Sequence, residues 1–122
     1  MTARLIRVLS VDDHAVLREG IAALVGPQVD MVIVGECENG LQAVDAFRRL
    51  RPDVTLMDLQ MPEMDGLEAI AAIREIASDA RIVVLTTYQG DVQAVRALKA
   101  GASGYLLKSS LRHELLETIR LV

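Results

Sequence analysis

Short apolar runs recur along the chain, and segments in which hydrophobic residues have helical spacing separate them. The runs are rich in β-branched residues and cover positions 5–11, 31–35, 54–57, 82–85 and 105–107. Runs of this length predict five strands that are buried on both faces. The segments between them predict amphipathic helices, of which the fourth, at about 91–100, is only weakly amphipathic.

Turn and cap residues agree with this alternation. Gly26-Pro27 predicts the end of the first helix, and Gly101 predicts the end of the fourth, because glycine readily takes the left-handed conformation that follows a helix. Asn39 and Asp65 each precede a helical segment and have Gln or Glu three positions later, which predicts a capping box. Strict alternation of strands and helices implies right-handed crossovers. The predicted fold is therefore α/β and doubly wound, with a central five-stranded parallel sheet.

Composition limits the classes of function. A length of 122 residues predicts a single domain, and a hydrophobic content of 52% excludes disorder. The three aromatic residues, Phe47, Tyr88 and Tyr105, offer no platform on which bases could stack. The net charge of -4 and the absence of a Lys/Arg run argue against direct binding of nucleic acid.

Cysteine usage and the length of the apolar runs bear on where the protein acts. The single cysteine, Cys37, cannot form an internal disulfide, and the first residues do not resemble a signal peptide. The apolar runs are too short to cross a membrane. We therefore expect a cytoplasmic protein without a membrane partner.

Polar residues mark the ends of four of the predicted strands, where parallel sheets form their sites. They are Asp12 and Asp13 after the first strand, Asp58 after the third, Thr86 and Thr87 at the end of the fourth, and Lys108 after the fifth. Crowded carboxylates repel one another, and a bound cation would relieve this repulsion. Hard oxygen ligands without His or Cys at ligand spacing favour Mg²⁺ over zinc.

The same residues suggest a reaction. A carboxylate can attack phosphorus to give an aspartyl-phosphate when a metal and a cation neutralise the transferring group. Asp58 stands alone at its strand end and is the best candidate nucleophile, whereas the adjacent Asp12 and Asp13 are better placed to hold the metal. Lys108 supplies a mobile cation for a carboxylate or a phosphoryl oxygen.

Three segments carry a resemblance to a known family. Residues 10–14 contain the acidic pair, residues 57–66 contain Asp58 followed by Pro62 and Gly66, and residues 104–108 end in the lysine. Across essentially all of its length the chain resembles the receiver domains of bacterial two-component response regulators. The resemblance implies one receiver domain over 1–122 with the flavodoxin-like, CheY-like (βα)5 fold.

The resemblance also implies ligands for Mg²⁺. By this likeness Asp13 and Asp58 bind the ion with their carboxylates, and Gln60 binds it with its backbone carbonyl. Asp12 acts through water. The resemblance further makes Asp58 the phosphoacceptor of a switch that catalyses its own phosphorylation and dephosphorylation and is not an enzyme with turnover.

The remaining roles concern the switch. By resemblance, Thr86 hydrogen-bonds the phosphoryl group, Lys108 bridges it, and Tyr105 turns inward when Thr86 moves toward the phosphate. Phosphorylation then favours one arrangement of the fourth helix, the fifth strand and the fifth helix.

Residues 83–88 and 104–109 resemble the NarL/FixJ subfamily, whose receivers precede a LuxR-type helix-turn-helix domain. This likeness implies a histidine kinase as phosphoryl donor and possible homodimerisation on phosphorylation. It also implies transcription regulation, with DNA bound only through an output domain beyond Val122. Gln60 and Tyr88 occupy positions that tune the lifetime of the phosphoryl group in this family.

Each residue also has a structural interpretation. Asp12 and Asp13 could serve a helix start, Lys108 could be solvated, and Tyr105 could simply pack on a helix. We assign no role to His14, which we place in an early helical turn, or to His113.

The alternative function is a stand-alone interaction module that switches without phosphate. A metal-dependent phosphohydrolase is weaker, because Gln60 stands where a second acid is usual. A flavin-binding relative is weaker still, because the first loop offers carboxylates and not a phosphate cradle.

Overall fold

The computed structural model describes residues 5–59, 61, 64–87 and 90–122. In chain order the elements are β1 (Ile6–Val11), α1 (Ala15–Val25), β2 (Met31–Cys37), α2 (Gly40–Leu50), β3 (Val54–Asp58), α3 (Gly66–Ile76), β4 (Ile82–Thr86), α4 (Val92–Lys99), β5 (Gly104–Leu107) and α5 (Leu111–Leu121). A short 3₁₀ turn, Lys108–Ser110, links β5 to α5. The predicted alternation of strands and helices is confirmed.

All strand pairs are parallel, and the strands lie in the order β2-β1-β3-β4-β5. The chain moves outward from β1 in one direction to β2 and then in the other direction to β3, β4 and β5. This reversal leaves a crevice at the carboxyl ends of β1 and β3, which is where ligands bind in open sheets of this kind.

The sheet separates two hydrophobic clusters. One contains buried residues of α2, α3 and α4, including Phe47, Ile70 and Ala97. The other contains buried residues of α1 and α5, including Ile21 and Leu115. Helices therefore cover both faces of the sheet, as the alternating pattern predicted.

The prediction that every strand is buried on both faces is wrong for the two edge strands. β3 and β4 are buried throughout, and β1 is buried over its last four residues. In contrast, Val32 on β2 is 38% exposed and Tyr105 on β5 is 40% exposed. An edge strand has a neighbouring strand on one side only, so solvent reaches side chains that a central strand would bury.

The N-caps predicted for α2 and α3 are present, but among the described residues neither helix start completes the reciprocal bond of a capping box. The backbone N–H of Gln42 donates to Asn39 Oδ1 at 2.9 Å, and the N–H of Glu68 donates to Asp65 Oδ1 at 3.0 Å. Gln42 reaches back to the N–H of Glu38, at 2.8 Å, and not to that of the cap residue itself. Each helix start is thus fixed by a side chain that takes a backbone donor with no partner inside the helix.

Two glycines fix the ends of helices. Gly101 follows α4 with φ of 114°, a conformation that side chains strongly disfavour, so the predicted stop is confirmed. Gly66 opens α3 directly against the end of β3, and a Cβ atom there would lie 2.5 Å from the backbone oxygen of Asp58. Glycine at position 66 therefore allows α3 to begin beside the candidate nucleophile.

Candidate functional site

Three aspartates meet at the carboxyl ends of β1 and β3. Asp58 is the last residue of β3 and is buried, and Asp12, which follows β1, is also buried. Asp13 is exposed to solvent. A carboxylate oxygen from each of these residues and one ring nitrogen of His14 all lie within 4.8 Å of one another. The clustering of carboxylates predicted from the strand ends is therefore present.

Lys108 provides the positive charge at this cluster. Its Nζ lies 3.2 Å from Asp58 Oδ1 and 3.7 Å from Asp12 Oδ2, so one ammonium group faces two buried carboxylates. The lysine is only partly exposed because it begins the 3₁₀ turn directly after β5. Its position matches the expectation that the end of the fifth strand reaches the acidic edge.

Thr86 ends β4 and is buried, whereas Thr87 is exposed. The Thr86 hydroxyl donates a hydrogen bond of 2.8 Å to Asp91 Oδ2. A cavity of about 180 Å³ adjoins these groups. It is lined by Asp58, Leu59, Leu85, Thr86, Thr87, Asp91, Gln93 and Lys108. The predicted nucleophile, hydroxyl and ammonium therefore line the same cavity.

Tyr105 does not line this cavity in the described part of the chain. Its Cα pairs with Val84 on β4, and its side chain is 40% exposed beside the α4 side of the sheet. The inward turn expected by resemblance applies to the phosphorylated protein and stays a prediction. Gln60 and Tyr88 lie outside the described residues.

His14 is a site residue that the sequence argument missed. It is the N-cap of α1, one position before the helix, and its N–H donates to Asp12 Oδ1 at 2.7 Å. Its Nδ1 lies 3.0 Å from Oδ1 of both Asp12 and Asp13. The statement that no histidine stands at ligand spacing is therefore wrong, and the direct contiguity of His14 with the acidic pair was the available signal.

Asp91 was missed as well. It is the N-cap of α4, and its carboxylate accepts hydrogen bonds from the Thr86 hydroxyl and from the backbone N–H of Gln93. An acidic residue before a helical segment predicts a cap, but nothing in the sequence indicates that the same side chain reaches the end of β4.

Arg18 steadies the acidic edge from α1. A guanidinium N–H donates to the backbone oxygen of Asp12, and its Nε lies 3.3 Å from Glu36 on β2. The side chain is largely buried by these contacts. Arg18 therefore ties the loop after β1 to the neighbouring edge strand.

The donor set fits a hard divalent cation. Asp12 Oδ2 is buried and accepts no hydrogen bond from any described residue, and its ion pair with Lys108 is long at 3.7 Å. A buried carboxylate oxygen in this situation is costly unless positive charge or water reaches it. His14 adds one exposed imidazole to the three carboxylates, and this donor set still favours Mg²⁺ over softer metals.

No helix in the described ranges combines the length and the apolar character needed to cross a membrane.

Comparison with known proteins gives one consistent family. The chain is 47% identical over 113 residues to the transcriptional regulatory protein YdfI of Bacillus subtilis, an alignment that covers 93% of this chain and 53% of YdfI. It is 41% identical over 112 residues to the nitrate/nitrite response regulator protein NarL of Escherichia coli, covering 92% of this chain and 52% of NarL. The chain therefore spans about half the length of these relatives.

Solved structures agree with this relationship. The response regulator domain of Thermotoga maritima CheB superposes with a TM-score of 0.90 at 34% identity, covering 96% of this chain and 95% of that one. The sequence profile of the response regulator receiver domain matches residues 8–120. This match includes the aspartate cluster, the buried threonine and the lysine, and the chain belongs to the response regulator receiver domain family.

Proposed function

We propose that this domain accepts a phosphoryl group on Asp58 in a Mg²⁺-dependent reaction and thereby switches an output. One observation carries the proposal: the Asp58 carboxylate lies 3.2 Å from Lys108 Nζ and lines a cavity that it shares with Thr86. A nucleophile, a cation and a hydrogen-bond donor thus surround a space in which a phosphoryl group could be held.

The transfer can be written with these groups. An oxygen of Asp58 attacks the phosphorus of a phosphohistidine, a P–O bond forms, the P–N bond breaks, and the imidazole leaves. Lys108 then moves its charge from the carboxylate to a phosphoryl oxygen, and the Thr86 hydroxyl donates to another. Because these groups stabilise charge that develops during transfer, they would lower the barrier to phosphorylation of Asp58.

Receiver domains bind Mg²⁺ at an acidic phosphorylation site, and this chain has an aspartate cluster. In our proposal Asp13 and Asp58 hold the ion directly, the backbone carbonyl of Gln60 completes the protein ligands, and Asp12 acts through water. The bound ion would neutralise negative charge on the phosphoryl group and the carboxylates. The buried Asp12 Oδ2, which accepts no hydrogen bond from the described residues, supports a role for Asp12 beside the metal.

Tyr105 would report the switch. We propose that it turns inward once Thr86 has moved toward the phosphoryl group. Tyr105 is 40% exposed, so an inward turn would bury side-chain surface that now faces solvent.

The partners follow from the family. Response regulators receive phosphoryl groups from histidine kinases, and YdfI is a transcriptional regulatory protein. We propose a histidine kinase as donor, homodimerisation on phosphorylation, and control of transcription in the cytoplasm. DNA would be bound only through a LuxR-type helix-turn-helix domain beyond Val122, a proposal supported by relatives about twice as long as this chain.

Mass spectrometry tests the acceptor. Wild-type protein incubated with acetyl phosphate and Mg²⁺ should gain one phosphoryl group, whereas Asp58→Asn should gain none. Asp79→Asn, an exposed residue before the opposite end of β4, is the matched control and should behave as wild type. An equal mass gain in wild type and Asp58→Asn would overturn the assignment.

Removal of the metal supplies the second arm of the test. The phosphoryl gain of the wild type should disappear when EDTA replaces Mg²⁺. If the wild type neither gains mass nor binds Mg²⁺ in a titration, the alternative of a phosphate-independent interaction module would replace this proposal.

A further inference from the structure

The carboxylate of Asp91 links the end of β4 to the first turn of α4. Its Oδ1 accepts the backbone N–H of Gln93 in the first turn of α4, at 2.8 Å. Its Oδ2 accepts the hydroxyl of Thr86 at the end of β4, also at 2.8 Å. A single residue therefore caps a helix and holds the threonine at the same time.

The geometry makes the second task, holding Thr86, compete with the chemistry proposed at Asp58. Thr86, Asp91 and Asp58 line the same cavity of about 180 Å³. A threonine hydroxyl has one proton and can donate to one strong acceptor at a time. If Thr86 donates to a phosphoryl oxygen on Asp58, it must release Asp91.

We propose that Asp91 is a positioning residue that holds Thr86 in the unphosphorylated protein and competes with the phosphoryl group for its hydroxyl proton. This inference rests on the proposed phosphorylation of Asp58. Release of Thr86 breaks its hydrogen bond to Asp91 at the N-terminus of α4. Phosphorylation would then act on α4 through the loss of this bond, in addition to the bond that Thr86 gains to the phosphoryl group.

The packing of α4 makes the loss of one bond consequential. The helix buries only two residues, Ala94 and Ala97, and both are small. Val92, Val95 and Leu98 are exposed. Little apolar surface therefore holds α4 on the sheet, and the charge-assisted hydrogen bond from Thr86 to its N-cap residue adds to this attachment.

The variant Asp91→Asn isolates the second task. Asparagine keeps one oxygen to cap the N–H of Gln93, but its amide nitrogen cannot accept the Thr86 hydroxyl. The probe is beryllofluoride with Mg²⁺, which mimics the phosphoryl group, and its affinity is measured by calorimetry. Asp91→Asn should bind it about threefold to tenfold more tightly than wild type, because the Thr86 hydroxyl no longer has to leave the Asp91 carboxylate.

A double-mutant cycle separates the hydrogen bond between Asp91 and Thr86 from the negative charge of Asp91. Thr86→Val removes the hydroxyl and preserves the shape of the side chain. In the Thr86→Val background, Asp91→Asn should leave beryllofluoride affinity unchanged. An equal gain in beryllofluoride affinity in both backgrounds would mean that the negative charge of Asp91 alone repels the ligand. That result would overturn the proposed competition for Thr86. Asp79→Asn, which removes a charge outside the site, should match wild type.

A second substitution guards against an unstable variant. Asp91→Ser retains a capping oxygen on a shorter side chain, so it should also tighten beryllofluoride binding if the variant Asp91→Asn does not fold. Wild-type affinity in a folded Asp91→Asn or Asp91→Ser protein would overturn the inference while leaving the phosphoacceptor intact. Failure of the wild type itself to bind beryllofluoride would instead overturn the proposed function on which the inference rests.

Discussion

α3 and α4 are neighbours on the same face of the sheet and begin with the same capping chemistry, but they bury different amounts of apolar side chain. Each starts after an aspartate that accepts a backbone N–H of the first turn, Asp65 for α3 and Asp91 for α4. α3 buries Ala69, Ile70 and Ile73 in the core, and further apolar residues of the helix pack around them. α4 contributes only two alanines.

The two helices therefore differ in how much apolar surface holds them on the sheet. Displacing α3 would expose branched side chains and open the core beside Asp58, at a large cost in free energy. Displacing α4 would expose two alanines and the covered parts of Val95 and Leu98, which is less buried apolar surface than α3 holds. Under the switch that we propose, a phosphoryl group supplies only a few new contacts, so we expect it to shift a helix that little apolar surface holds.

The largest expected effect compares one residue from each helix. Ile73→Ala in α3 should lower the free energy of unfolding by about 3 kcal/mol, because Ile73 is 0% exposed and its removal leaves a cavity. Leu98→Ala in α4 should cost less than about 1 kcal/mol, because Leu98 is 39% exposed. Urea unfolding measures both. Equal losses would show that α4 is anchored as firmly as α3.

The thiol of Cys37 tests the packing of the core around α2 and α3. It packs with residues of α2 and α3, and burial raises the pKa of its thiol from 9.0 to about 11. At pH 8 the thiolate is therefore about 100-fold scarcer in the folded protein than in the unfolded chain, since reactivity follows the thiolate. Alkylation by iodoacetamide, followed by mass spectrometry, should be slower than in urea by at least this factor. Equal alkylation rates with and without urea would mean that the core around Cys37 opens readily.

The raised pKa also gives a pH dependence. The folded state holds the thiol proton more tightly than the unfolded state, so this contribution to stability is complete below pH 9 and is lost as the pH rises toward about 11. The unfolding free energy of wild type should fall across that window relative to that of Cys37→Ala. Parallel pH profiles for the two proteins would contradict the assignment.

Hydrogen exchange should show the contrast without any mutation. Backbone amides within α4 should exchange at least about tenfold faster than those within α3, because local opening of α4 exposes less apolar surface. Deuterium uptake resolved by peptide measures the two helices in one sample. Matched protection in the absence of phosphate would remove the basis for treating α4 as the mobile element.

The smallest effect concerns an exposed ion pair on the other face. Arg120 of α5 donates to both oxygens of Asp30, at 2.7 and 3.0 Å, and this hydrogen bonding lowers the pKa of the Asp30 carboxyl. The contribution is present above the ordinary pKa of 3.8 and is lost as the pH falls through the lowered value. Arg120→Gln should therefore reduce stability slightly at pH 7 and not at strongly acidic pH, and high salt should shrink the difference.

Much of the fold follows from hydrophobic spacing. The five strands, the caps at Asn39 and Asp65 and the stop at Gly101 were predicted because each depends on local sequence. The burial of the edge strands was not, because exposure depends on how many strands lie beside a given one. Tyr105 is the clearest case, since its strand is apolar in sequence but lies at the edge of the sheet.

The sequence by itself determined that carboxylates and a lysine would meet, because parallel strands bring their carboxyl ends to one edge. Only the tertiary structure decided the contacts within that edge. Whether His14 faces both Asp12 and Asp13, or whether Asp91 reaches Thr86, depends on angstrom-scale placement of loops that no periodic pattern encodes. The alternation of strands and helices follows from many weak signals in agreement, whereas a single hydrogen bond depends on one distance.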